Sequence, residues 1–185
     1  MARIRVTALP ICSLVICLGA ACGGSGNEVP QHDAEASLER LGIQLYDPPA
    51  RVGNYVGAVR TGNLVYVAGH GPRLPEGGYV IGKVGRDLDL EQAQHAARLT
   101  MIDILSSLRA EVGNLNRVSR IVKVTGLINA VDSFGEHPQV MNGASDLLIE
   151  IFGDAGKHAR SSVGVSSLPI GTPIEIDMVV EISNE

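Results

Sequence analysis

The strongest constraint on the fold is an alternation of apolar and polar residues near the end of the chain. Every second residue from Ile174 to Ile182 is apolar, which is the period of a β-strand with one buried face. Residues 159–166 predict a preceding strand, with Val163 and Val165 on one face and Arg160 on the other. The Pro/Gly-containing residues 168–173 between them indicate a turn, so we expect a hairpin.

In this interpretation the hairpin has an apolar face for a helical layer and a polar face that carries Arg160, Glu175 and Asp177. A guanidinium and carboxylates on neighbouring strands are suited to holding and processing a small carboxylate-bearing ligand. A solvated polar sheet face explains the same pattern without any ligand.

The remaining elements predict a two-layer domain. Apolar spacing indicates a short helix over 36–45 stopped by Gly42, a hairpin of residues 54–60 and 64–69, and a short strand at 79–81. A helix begins after Asp89, with Gln92 completing a capping box, and ends at Gly113. A strand over 118–129 and a helix from Pro138 to Gly153 follow.

This order predicts an α+β fold, in which two helices pack on one mixed β-sheet whose other face stays uncovered. We expect oligomerisation through that face. Gly143 weakens the second long helix, so we also expect a close approach of another segment there.

The first residues are typical of an export signal. Arg3 and Arg5 precede an apolar run that ends in small residues before Cys22. We expect a lipoprotein-type signal peptide at 1–21, lipidation at Cys22, a flexible linker at 22–35 and the domain at 36–185. The protein would then be anchored by lipid on a membrane, facing the periplasm or the cell exterior. Simple secretion is the first alternative. The others are a wrongly assigned start, which would leave the protein in the cytoplasm, and a signal that stays uncleaved as an anchor.

Composition excludes several classes of function for the domain. The three cysteines, Cys12, Cys17 and Cys22, all precede it, which removes disulfides, thiolate metal sites and a cysteine nucleophile. Loss of Arg3 and Arg5 with the signal would change the formal net charge from −5 to −7. An acidic domain with few aromatic residues argues against a nucleic-acid partner. The histidines lack close ligand spacing, so we expect no metal, and no cofactor motif is evident.

Several short motifs together resemble the RidA (YjgF) family, in the branch labelled YjgF/chorismate mutase-like endoribonuclease L-PSP. They are Asn54-Tyr55, Val67-Ala68-Gly69, Gly82-Lys83-Val84-Gly85, residues 140–147 around Asn142, residues 158–163 around Arg160, Leu168-Pro169 and Ile174-Glu175-Ile176. The resemblance covers about residues 36–182.

The resemblance implies a chorismate-mutase-like homotrimer with ligand clefts between subunits. It also implies a deaminase that hydrolyses reactive enamine and imine intermediates (2-imino acids) to 2-oxo acids and ammonia. Carried onto this sequence, Arg160 would clamp the substrate carboxylate and Glu175 would activate water, both as catalytic residues. Tyr55, Gly69 and Asn142 would line the substrate-binding cleft.

Two positions depart from the pattern that the resemblance implies. Ala68 stands where a hydroxyl residue is common, which weakens the network that orients water, and Ser162 stands where a cysteine is common. A non-catalytic trimer that binds small carboxylates or a protein partner therefore remains an alternative, as does an endoribonuclease. His70, between two glycines, is a further candidate base.

Overall fold

The computed structural model of the chain describes residues 32–48 and 53–183. Within them the helices are α1 (Ala34–Arg40), α2 (Leu90–Val112) and α3 (His137–Phe152). The strands are β1 (Ala58–Thr61), β2 (Leu64–His70), β3 (Val118–Asn129), β4 (Ala159–Val165) and β5 (Ile174–Ile182).

The expected signal peptide at 1–21 and the lipidation site Cys22 lie outside the described residues, as does most of the expected linker. They remain predictions from sequence. Among the helices of the described residues, none has the length and apolar content needed to cross a membrane.

The five strands form one mixed sheet in the order β1-β2-β5-β3-β4. β3 is antiparallel to β5 and parallel to β4. The expected hairpin of β4 and β5 is therefore wrong, because β3 lies between them. The reason is α3: it connects β3 to β4 as a crossover helix, which makes those two strands parallel neighbours. β5 then occupies the other side of β3.

The two long helices begin and end where the sequence indicates. The Asp89 side chain accepts a hydrogen bond from the Gln92 backbone N–H, and the Gln92 side chain accepts one from the Asp89 N–H. This capping box satisfies two backbone donors that the first turn of α2 leaves unpaired. Gly113 ends α2 with φ 82°, a conformation that favours glycine. Pro138 lies in the first turn of α3.

The core lies between one face of the sheet and the helices, which confirms the two-layer prediction. The alternating residues of β5 face it, and the apolar positions of α2 and α3 close it from above. α1 is a third helix, which contacts α3. Its bounds differ from the predicted 36–45, since the Asp33 side chain caps it and the chain leaves the helix at Leu41. The strand expected at 79–81 is a single bridge between Arg73 and Tyr79.

Two glycines let α3 pack closely on its neighbours. A Cβ at Gly143 would overlap the carbonyl oxygen of Gln94 on α2, and a Cβ at Gly126 on β3 would overlap the Met141 sulfur. The close approach expected at Gly143 is thus confirmed as a contact between the backbones of two helices. The contact at Gly126 sets how closely α3 lies on the sheet, and the contact at Gly143 sets how closely it lies on α2.

We predict that Gly143→Ala lowers the stability of the protein even though alanine favours a helix. The added methyl meets backbone, which cannot move aside as a side chain can, so overpacking should lower the free energy of unfolding by about 2 kcal/mol. Urea denaturation followed by circular dichroism measures the change. Gly135→Ala is the matched control, because its Cβ would meet no heavy atom within 4 Å and should alter stability by less than about 0.5 kcal/mol. Equal effects of the two substitutions would contradict the prediction.

Candidate active site

The predicted cation, Arg160, lies at the start of the edge strand β4 and reaches the first three turns of α3. Its Nη1 donates to the Asn142 Oδ1 and to the Ser145 Oγ, each at 3.0 Å. Its Nη2 donates to the Pro138 carbonyl oxygen at 3.2 Å. These bonds use three of the five N–H donors of a guanidinium. The remaining two have no partner among the described residues, so Arg160 is oriented and still has donors for a ligand.

Asn142 and Arg160, both predicted from sequence, are therefore brought together. The structure adds Ser145, which the sequence interpretation did not single out. Ser145 follows Asn142 by three residues and shares its helix face, a spacing that could have indicated it. Ser145 also lies 3.0 Å from the Nε2 of His158.

An open depression adjoins this cluster. Its volume is about 280 Å³, and its lining residues are Ser145, Ile149, Lys157, His158 and Arg160. Two of these side chains are permanent cations and none is an acid. The depression is thus suited to a small anion.

Glu175 lies on the opposite face of the sheet from Arg160. In the ladders Arg160 pairs with Val124 and Val124 with Met178, a row that faces the helices. Glu175 belongs to the row of Leu127 and Val163, which faces away from them. The expectation that Arg160 and Glu175 share one polar face is therefore wrong for a single chain. The register of the parallel β3–β4 pair decides this, because side chains of paired residues point to the same side.

Gly69 makes room for the Glu175 carboxylate. A Cβ at position 69 would overlap the Glu175 Oε1, and the β2–β5 register shifts between Val67 and His70 at this place. Burial raises the pKa of Glu175 above its usual 4.5, and the neighbouring Asp177 raises it further. A carboxyl group with a raised pKa exchanges protons more readily near neutral pH, as general acid–base chemistry requires.

Tyr55 belongs to the segment that leads into β1. The sequence predicts that Tyr55 lies in a strand, but in the structure it precedes β1. Its side chain is 52% exposed. The Ala68 N–H donates to the Gly57 carbonyl oxygen, so the segment with Tyr55 runs beside the end of β2 that carries Gly69. Among the predicted residues, Arg160 therefore contacts Asn142 and Glu175 contacts Gly69, while Tyr55 lies in the segment beside β2.

His70 is a structural residue in this arrangement. Its ring is buried, with Nδ1 2.6 Å from the Ala68 carbonyl oxygen and Nε2 2.7 Å from the Ser107 Oγ on α2. These contacts tie β2 to α2. Within the described residues no group of three or more His, Cys, Asp or Glu side chains is placed to hold a metal ion.

Comparison with known proteins identifies the family. Residues 35–182 match the family described as "YjgF/chorismate_mutase-like, putative endoribonuclease". The chain belongs to the YjgF/RutC/RidA family. Matched proteins of this family carry the names RutC family protein and RidA.

Among curated relatives of this YjgF-family chain, Protein TCP17 of Trypanosoma cruzi is 41% identical over 150 residues, which are 80% of this chain and 94% of that protein. Among solved structures, a protein of Shewanella oneidensis named as a "putative endoribonuclease" is 31% identical with a TM-score of 0.77, covering 80% of this chain and 99% of that one. TdcF of E. coli, solved with bound serine, is 25% identical with a TM-score of 0.53, covering 73% of this chain and 93% of that one. The predicted fold and family are confirmed.

We predict that the raised pKa of Glu175 depends on Asp177 only in part. Asp177→Asn should lower the pKa of Glu175 by removing the neighbouring charge, yet leave it above 4.5 because burial is the larger cause. NMR titration of ¹³C-labelled glutamate carboxyl groups measures the midpoint, with the resonance assigned by its loss in Glu175→Gln. Glu181→Gln, on the same face of β5, is the control and should leave the Glu175 midpoint unchanged. A wild-type midpoint at or below 4.5 would show that the carboxyl is not desolvated.

Proposed function

We propose that this protein is a deaminase of the RidA type, which hydrolyses 2-imino acids to 2-oxo acids and ammonia. The observation that carries the proposal is the Arg160 guanidinium, fixed by three acceptors on α3 with donors left over. A fixed guanidinium is the group best matched to a planar carboxylate. The serine seen in the TdcF structure is a small ligand with such a carboxylate.

The chemistry assigned to Glu175 is proton transfer. Its carboxylate takes a proton from water as the water oxygen bonds to C2 of the imino acid. That proton goes to the substrate nitrogen, which gives a carbinolamine with a hydroxyl and an amino group on C2. The Glu175 carboxylate then takes the proton of this hydroxyl and passes it to the amino nitrogen as the C2–N bond breaks. Ammonia and the 2-oxo acid leave, and the carboxylate is restored. The raised pKa of Glu175 favours this exchange at neutral pH. Arg160 neutralises the substrate carboxylate throughout.

We propose further that the protein is a homotrimer and that one site uses two chains. The placement of Arg160 and Glu175 on opposite faces of the sheet supports this, because a ligand on one chain cannot contact both. The sheet face with Glu175 also carries Tyr66 and Val163, each 48% exposed. Exposed apolar groups on an uncovered sheet face favour association with another copy.

Two other functions are weaker candidates. A non-catalytic carboxylate-binding trimer is favoured by Ala68, which supplies no hydroxyl to orient water. An endoribonuclease is suggested by the family description and by the name of the Shewanella protein, but the formal net charge of −5 opposes binding to RNA.

We predict that the protein accelerates pyruvate release from 2-aminoacrylate generated in situ by a serine dehydratase, followed by coupled lactate dehydrogenase. Arg160→Ala should lower the enzymatic rate about 10- to 100-fold. This factor corresponds to the free energy that charge-assisted hydrogen bonds to the substrate carboxylate contribute. Arg86→Ala is the control, since Arg86 is exposed and pairs with Asp87. Absence of acceleration by the wild type, with retained binding of pyruvate, would favour the binding protein. RNA cleavage that is equal in wild type and Arg160→Ala would indicate a contaminant.

A mixing experiment tests whether the site spans two chains. Arg160→Ala and Glu175→Gln should each keep at most about a tenth of the wild-type rate alone. Unfolded together in equal amounts and refolded, they should recover about a quarter of the wild-type rate, since one interface in four would receive both native residues. Mixing Arg160→Ala with the double variant is the control and should recover nothing. An absence of recovery in correctly assembled mixed oligomers would place the complete site within one chain.

A further inference from the structure

A continuous chain of hydrogen bonds joins Arg160 to the backbone that precedes its strand. The Arg160 Nη1 donates to the Ser145 Oγ, which lies 3.0 Å from the His158 Nε2. The His158 Nδ1 lies 2.6 Å from the Gly156 carbonyl oxygen. Gly156 packs closely on α3, because a Cβ there would overlap the Leu148 carbonyl oxygen. Arg160 is thus linked through the side chains of Ser145 and His158 to backbone that packs on α3.

The hydrogen-bond partners of His158 and Ser145 determine where the protons of this series of hydrogen bonds lie. A carbonyl oxygen only accepts, so the His158 Nδ1 carries a hydrogen and donates to Gly156. In the neutral ring Nε2 then accepts, and the Ser145 hydroxyl must donate to it. The lone pairs of the Ser145 Oγ are left to accept from Arg160. The neutral state of His158 therefore fixes the direction of the Ser145 hydroxyl and, with it, a resting place for the guanidinium.

We propose that His158 is a positioning residue for Arg160, and that its protonation tightens the binding of a carboxylate in the adjoining depression. The proposal rests on the proposed function in that the ligand is a small carboxylate. It goes further in making the affinity depend on pH through His158 and Ser145, two residues outside the predicted set of site residues.

Protonation changes the depression in two ways. The His158 Nε2 then carries a hydrogen and donates to the Ser145 Oγ, which frees the Ser145 hydroxyl hydrogen to turn toward an anion. The imidazolium also adds a positive charge to those of Arg160 and Lys157. Both changes favour a bound carboxylate, and neither requires the backbone to move.

The charged side chains that line the depression with His158 are both cations. Arg160 faces it from β4, Lys157 from the preceding turn, and α3 contributes the uncharged Ser145 and Ile149. Asp154, on the same turn, pairs with Lys157. Burial lowers the pKa of His158 below 6.5, and Arg160 lowers it further, while the hydrogen bond to Gly156 offsets part of the effect. A bound carboxylate opposes the repulsion by Arg160 and should raise this pKa.

Calorimetric titration of the full chain with pyruvate tests the proposal. Wild type should bind about fivefold more tightly at a pH below the His158 midpoint measured by NMR than at pH 8. This is the gain from one added charge at about 4 Å in a water-like dielectric. His158→Gln should reduce this ratio to near one. His95→Gln, on the exposed side of α2, should retain it. Glu175→Gln tests the other titrating group, and loss of the ratio in that variant but not in His158→Gln would overturn the proposal.

Ser145→Ala provides a second test that keeps the histidine. It breaks the link to Arg160, so pyruvate binding at pH 8 should weaken several-fold while His158 still titrates. In ¹H NMR the Cε1 proton of His158 should titrate below 6.5, and pyruvate should raise its midpoint in wild type but not in Arg160→Ala. Unchanged pyruvate affinity in Ser145→Ala would remove the positioning role.

The outcomes separate this proposal from the proposed function. Binding of pyruvate with the expected pH dependence, without hydrolysis of 2-aminoacrylate, would refute the deaminase and leave the role of His158 intact. Hydrolysis together with pH-independent binding would refute the role of His158 alone. An absence of pyruvate binding at both pH values would refute the carboxylate site itself.

Discussion

The register of the parallel β3–β4 pair is the constraint on which the candidate site depends. Pairing of Arg160 with Val124 directs the guanidinium to the helical side, where α3 supplies its three acceptors. A shift of one residue would move Arg160 to the open face and bring Val163 under the helix. The parallel pairing in turn requires the crossover through α3, so the helix both sets the register and provides the partners of Arg160.

The packing of α3 follows from glycines placed where other backbones or side chains come close. Gly126 admits Met141 against β3, and Gly143 admits the Gln94 carbonyl of α2. With a larger residue at either position, α3 would lie further from the sheet or from α2. The distances of 3.0 Å from Arg160 to Asn142 and Ser145 would then not be kept. The geometry of the cation therefore depends on close packing at two positions that carry no chemistry.

The elements themselves could be predicted from sequence because their signals are local. Asp89 and Gln92 indicate where α2 begins, Gly113 where it ends, and β3 has the predicted bounds of Val118–Asn129. The facing of β4 could not be predicted, since Ala159, Ser161, Ser162 and Gly164 give little contrast between its two faces. The pairing of β4 with β3, which is distant in sequence, decides which face of β4 points to the helices. The grouping of the site residues on one face was wrong for the same reason. The family resemblance implies that Arg160 and Asn142 both belong to the cleft, but the hydrogen bond between them was not predicted.

The separation of Arg160 from Glu175 has a chemical consequence. Side by side in one chain they would form an ion pair, which would lower the pKa of the acid and occupy the donors of the cation. A substrate carboxylate would then have to displace Glu175 before it could bind. With the sheet between them, Glu175 keeps a raised pKa and Arg160 keeps two donors without partners among the described residues. If a second copy brings the two groups to one cleft, the ligand carboxylate occupies Arg160 and the acid remains available for proton transfer. Association through the uncovered sheet face would then also complete the site, because that face carries Glu175.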